Sequence, residues 1–127
     1  YVATVIDVEV QGKDIKVHDA YVVLDCGTHI NPDTCVAQME GAVVFGLSLA
    51  LKSEITFDKG SAVQGNLDTY ELIRMMESPR VTVDLVQSEA LPAGVGEPGV
   101  PPVAPALTNA IFAASGQRIR KLPVSLA

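Results

Sequence analysis

Between residues 35 and 52 nearly every position is apolar, and Val36, Met39, Val43, Val44, Phe45, Leu47, Leu49 and Leu51 leave no broad polar face for solvent. This pattern predicts a central helix buried on most of its circumference, so the remainder of the chain has to wrap it. Upstream, Pro32 disfavours helical backbone at Asn31, and Asp33 or Thr34 is placed to cap the helix. The exceptions within the run are informative. Gln38, Glu40 and Ser48 are polar, and Gly41 and Gly46 each cost about 1 kcal/mol relative to alanine in a helix interior. Gln38 and Gly41 share a face at i, i+3 spacing. Either the glycines admit a closely packed neighbour while Gln38 satisfies a buried backbone group, or this face admits a ligand whose polar edge Gln38 binds.

The wrapping elements are strands and one further helix. Val2, Thr4, Ile6, Val8 and Val10 alternate with their neighbours, the period of a strand with one buried face. A turn at residues 11–14 and renewed β character over 15–24 predict an antiparallel hairpin. Residues 53–57 and 61–64, joined by Asp58-Lys59-Gly60, predict a smaller hairpin, and 66–79 reads as loop with one helical turn. Val81, Val83 and Leu85 mark another strand. Pro101 and Pro102 suit a helix start, Val103, Leu107, Ala110, Ile111 and Ala114 form a stripe, and Gly116 is placed to end it. Residues 122–126 predict a last short strand. The class is α+β, an antiparallel or mixed sheet of hairpins packed with a long central helix and a C-terminal helix, rather than a regular βαβ winding.

Composition narrows the function classes. With 127 residues, 48% of them hydrophobic, the chain suits a single domain over 1–127. A net charge of −6, with Arg118, Arg120 and Lys121 collected near the end instead of along a stripe, argues against nucleic acid as a partner. Cys26, Cys35, His18 and His29 have no metal-ligand spacing and read as structural or incidental. The uncharged run 41–51 is too short to cross a bilayer, and no membrane span is expected. Because a strand pattern is already under way at Tyr1, the chain is expected to be a piece of a longer polypeptide.

One stretch points to chemistry. Ala93-Gly94-Val95-Gly96-Glu97-Pro98-Gly99-Val100-Pro101-Pro102 sets a single carboxylate among three glycines and three prolines, immediately before the last helix. Such a loop is stiff and sharply turned. Glu97 is either a solvated turn charge or a general base aimed at a cleft, and the stretch alone leaves both open.

The order of motifs resembles a known family. Asp25-Cys26-Gly27 with Ile30-Asn31-Pro32, Gln38-Met39-Glu40-Gly41 with Phe45-Gly46-Leu47, Gly94-Val95-Gly96-Glu97, and Leu122-Pro123 follow in the sequence of the C-terminal part of the molybdopterin-binding subunit of the xanthine dehydrogenase and aldehyde oxidase family. The stretches 96–106 and 109–114 look most like the isoquinoline 1-oxidoreductase β-subunit branch. The resemblance implies a molybdenum hydroxylase that places water-derived oxygen on an N-heteroaromatic ring or an aldehyde. It implies Glu97 as the general base, Gln38 as a pterin-binding residue and Gly41 as the point where the cofactor approaches. It also implies molybdopterin, with or without a nucleotide extension, in the complete enzyme and none bound to this piece alone, which is expected to be inactive. The implied partners are the rest of the molybdopterin-binding subunit, an iron–sulfur electron-transfer subunit and a small-molecule substrate. The reading from another class is a free-standing module of the same fold that binds or assembles without chemistry.

Overall fold

The computed structural model describes residues 1–126. Strand Val2–Gln11 (β1) turns at Gly12, φ +61°, into Asp14–Leu24 (β2), with Val2 opposite Leu24 and Gln11 opposite Asp14. The register slips between Asp7 and Val8, which face Asp19 and Val17 and leave His18 as the extra residue of a bulge. That insertion explains an irregularity in the sequence: Val17 and then Ala20, Val22 and Leu24 all reach the buried face, although they do not share one alternation. The displaced His18 turns its ring to Glu9 at 3.0 Å, and this bond, with a second from Gln11, holds the Glu9 carboxyl below its usual range.

Chain 32–51 then crosses the sheet as helix Pro32–Leu51 (α1), and strand Arg80–Leu85 (β5) pairs parallel with β2 after the small hairpin Phe57–Asp58 (β3) and Ser61–Ala62 (β4). The three-stranded sheet is therefore mixed, in the order β1-β2-β5. A parallel neighbour needs a long crossover, and α1 lies within it. The expected α+β class is observed, with this one crossover element added to the hairpins. Helix Val103–Ser115 (α2) lies beside α1 and over β1. Met39, Val43, Leu47 and Ala50 of α1, Val103, Leu107 and Ile111 of α2, and Ala20 of β2 are fully buried between the layers. By length and mean hydropathy, 1.5, α1 is apolar enough to cross a membrane; here it is the core helix on the sheet.

Several details differ from the sequence expectations. The cap of α1 is Asn31, whose Oδ1 accepts from Thr34 N at 3.2 Å, and not Asp33 or Thr34. Pro32 keeps Asn31 extended, which is the cap conformation, and itself fits the first turn, where no N–H is needed. Burial of α1 is less complete than predicted, since Ala37, Gln38, Glu40, Gly41, Phe45 and Leu49 remain exposed. The small hairpin is shorter, two residues to a strand, around a turn in which Lys59 (φ +49°) and Gly60 (φ +83°) are both left-handed. Residues 122–126 form no strand. Instead Val124 N–H donates to Ala50 O at 2.8 Å, one of the carbonyls the end of α1 leaves open, and Leu126 is buried. Gly116 ends α2 as expected, at φ +74°, with its N–H on Phe112 O.

Ser48 explains itself in the structure. Its buried hydroxyl donates to Val44 O at 2.9 Å and accepts from Ile73 N at 3.1 Å, tying the segment before β5 to α1. Ser48→Ala should cost about 1–3 kcal/mol in denaturant unfolding, the penalty of an orphaned Ile73 N–H. Nearby, Lys52 Nζ donates to Glu77 Oε1 and Oε2 at 2.5 and 2.7 Å, and this, with the Arg74 N–H, lowers the Glu77 carboxyl from its ordinary 4.5. A lowered carboxylate contributes stability that is present above its unfolded value and lost as pH falls through its folded value. Thermal melts of wild type and Lys52→Met should therefore differ at neutral pH and converge on acidification below the ordinary Glu77 value.

Candidate functional site

The loop carrying Glu97 is fastened at both ends, and between them only Val95 packs against the core. At its start, Ala93 N–H donates to Cys26 O at 2.8 Å, just beyond β2. At its end, Gly99 is buried against α1, and a Cβ there would stand 2.7 Å from Ala42 Cβ and 3.0 Å from Met39 Sδ. Only glycine lets the backbone come this close. Further along, a Cβ at Gly46 would meet Val103 Cβ at 2.7 Å, so α1 and α2 also touch through a glycine. The turn leaves the loop through Val100 N–H to Glu97 O, 3.0 Å, and enters α2.

Between these fastenings the loop runs along the exposed side of α1 at Gln38. The position a Gly96 Cβ would take is 3.7 Å from Gln38 Nε2. Gln38 and the residue preceding Glu97 are thus neighbours, brought together from distant parts of the sequence. Gln38 is exposed, and its amide makes no hydrogen bond among the described residues, which removes the reading that it satisfies a buried backbone group. Glu97 is likewise exposed and forms no side-chain hydrogen bond or ion pair among the described residues. The N–H groups of Gly94, Val95, Gly96 and Glu97 have no partner in the described chain either.

Gly41 lies one turn beyond Gln38 and about 60° around the helix. Nothing lies within 4 Å of where its Cβ would be. It opens onto a groove of about 610 Å³ shared with Phe45, Leu72, Pro79 and Val81, on the flank of α1 toward β5. The described grooves do not include Glu97 or Gln38 in their walls. The carboxylate stands on an open surface, with one wall around it rather than a cleft.

Among the described residues no three His, Cys, Asp or Glu side chains gather as a metal would require. Cys26 and Cys35 are buried, and burial first, then the neighbouring Cys26 thiol, pushes the Cys35 thiol up, as befits an inert core cysteine. The donor set around Gln38 nonetheless fits a flat, nitrogen- and oxygen-rich group such as a pterin. The Gln38 amide both donates and accepts, the loop offers unpaired N–H donors, and Gly41 removes side-chain bulk from the same helix. Sequence reasoning missed Met39 and Ala42, which seat Gly99, and Gly27 and Thr28, which seat the loop's approach; their signal was the run Asp25-Cys26-Gly27, used only as a landmark.

Residues 1–79 match the family model of a molybdopterin cofactor-binding domain, a span that includes Gln38 and Gly41 and ends before Glu97. A membrane-bound aldehyde dehydrogenase (pyrroloquinoline-quinone) of Gluconacetobacter polyoxogenes is 41% identical over 81% of this chain and 13% of its own length. Isoquinoline 1-oxidoreductase subunit beta of Brevundimonas diminuta is 36% identical over 87% of this chain and 14% of its own. The crystal structure of quinoline 2-oxidoreductase from Pseudomonas putida 86 superposes with a TM-score of 0.78 at 24% identity, covering 87% of this chain and 15% of that one, which establishes the common fold. The chain thus spans about one seventh of the length of these proteins.

The seating of Gly99 can be checked by complementary substitutions. Gly99→Ala should destabilise by about 1–3 kcal/mol through overpacking, and Ala42→Gly in the same molecule should recover part of that loss. A double-mutant cycle from urea unfolding reads the coupling, and strict additivity would remove the contact.

Proposed function

We propose that this chain, which belongs to the molybdopterin cofactor-binding domain family and to the molybdenum-binding subunit of the xanthine dehydrogenase and aldehyde oxidase family, supplies a catalytic base and one wall of the cofactor site. The observation that carries this reading is the meeting of Gln38 with the Glu97 loop at Gly96. A solvated turn charge has no need of a loop seated by Gly99 on one helix, or of an unpartnered amide beside it.

Molybdopterin, when bound, supplies the two-electron redox chemistry and the transfer of water-derived oxygen to the substrate carbon. In this proposal Gln38 holds the pterin edge through its amide and orients it, and Gly41 admits it close to the α1 backbone. Glu97 has no competing cation, so its carboxylate is free to take the proton released as the new C–O bond forms. The seating at Gly99 limits how far that carboxylate can wander, as a positioned base requires. The substrate class is an N-heteroaromatic ring or an aldehyde, the kinds of compound named for the Brevundimonas and Gluconacetobacter relatives. The latter's name gives a quinone cofactor; the family match and the donor set at Gln38 favour molybdopterin here.

Because the relatives are several times longer, we place the activity in a larger subunit, with an iron–sulfur subunit as the electron acceptor and the isolated chain inactive. The alternative, a non-catalytic assembly module, has in its favour the exposed apolar residues Phe45 and Leu49 on α1. Glu97→Gln in the complete enzyme decides between them. It should leave cofactor content unchanged and lower kcat by at least about 10²-fold, in the range of lost general-base catalysis. Turnover near wild type would take Glu97 out of the mechanism.

A further inference from the structure

The approach to the Glu97 loop hangs from a short turn after β2. Gly27 stands at φ +75°, and a Cβ there would lie 2.3 Å from Leu91 O and 2.8 Å from Ala90 O, so no other residue fits without displacing that backbone. The N–H of Thr28 donates to Ala90 O at 2.9 Å, and its hydroxyl donates to the same oxygen at 3.1 Å. In return, Ala93 N–H donates to Cys26 O at 2.8 Å. Asp25 Oδ1 accepts from Gly27 N at 3.1 Å, an Asx turn that fixes the shape of the whole.

We propose that the Gly27–Thr28 turn is a positioning element for Glu97, setting where the loop begins and hence where its carboxylate arrives. The proposal rests on the reading of Glu97 as the base. From Ala93 only Gly94, Val95 and Gly96 intervene before Glu97, and none of their N–H groups is bonded within the described chain. The loop has no internal ladder to correct an error at its start. Its course is fixed from outside, by Gly27 and Thr28 at one end, by the half-buried Val95 on the core, and by Gly99 at the other end. Thr28 is exposed, so its double hold on Ala90 O contributes to where the segment lies more than to whether the domain folds.

The test uses the complete enzyme carrying Gly27→Ala, Thr28→Val, Thr28→Ser or Glu97→Gln. Thr28→Val, which keeps the shape and loses the hydroxyl, should lower kcat about tenfold with KM within about twofold, and Thr28→Ser should restore it. Amide hydrogen exchange at Ala93, whose N–H is bonded to Cys26 O, should speed up in Thr28→Val and not in Thr28→Ser. Gly27→Ala should cost about 10²-fold in kcat; if it fails to fold, the Thr28 pair carries the test. Wild-type kcat and unchanged exchange in Thr28→Val, beside an impaired Glu97→Gln, would overturn the positioning role alone. Wild-type turnover in Glu97→Gln would overturn the base, and the positioning role with it.

Discussion

The arrangement depends on backbone reaching α1 without side chains in the way. Gly99 brings the end of the Glu97 loop onto Met39 and Ala42, and Gly46 brings α2 onto the same helix through Val103. These two contacts lie one and two turns beyond Gln38 on one stripe of α1, so the helix that carries the amide also sets the distance to the loop. Glycine in a helix interior costs about 1 kcal/mol, and Gly46 offsets that by letting Val103 bury completely. Gly41, on an exposed flank, has no such packing return within the chain, which is why the proposal gives it to the cofactor.

The sheet places the other half of the site. The bulge at His18 shifts β2 by one residue so that both of its halves bury their apolar side chains. Ala20, Val22 and Leu24 then sit beside Val81, Val83 and Leu85 of β5, and the two parallel strands end together. The chain segments that leave them run side by side: 25–28 from β2 and 86–93 from β5, joined by Val86 N–H to Leu24 O, Thr28 N–H to Ala90 O and Ala93 N–H to Cys26 O. The Glu97 loop thus begins at the shared carboxyl ends of β2 and β5.

Much of this was legible in the sequence because it rests on local rules. The alternation of β1, the apolar run of α1, the Gly116 stop and the glycine–proline loop each follow from periodicity or from φ preferences that neighbouring residues enforce. What was not legible depends on partners distant in sequence. The parallel pairing of β5 needs knowledge of β2, and the bulge needs the opposing strand. Residues 122–126 have strand character but dock on Ala50 O because no sheet edge lies beside them. Gln38 was readable as an anomaly in an apolar helix; that its amide stands free beside Gly96 required the loop's path. The resemblance, not the geometry, named Glu97, whereas the proposed role of Thr28 came from the structure alone.

A helix apolar on all sides is normally covered on all sides, and α1 is covered on only part of its circumference. Phe45 is 54% exposed and Leu49 36%, on a helix whose opposite face is fully buried. Burial of such side chains is worth about 1.5–3 kcal/mol each, so leaving them open is an unusual way to use them. The same helix presents Gln38 beside the Glu97 loop, both side chains without partners among the described residues, and opens at Gly41 on its β5 side. A general base also works best where water is held away, which an open surface does not do. Apolar exposure alone suits an assembly surface as well as a cofactor wall; what sets this helix apart is that the exposed apolar residues share it with an unpartnered amide and a neighbouring unpaired carboxylate, polar groups that docking by apolar contact does not require.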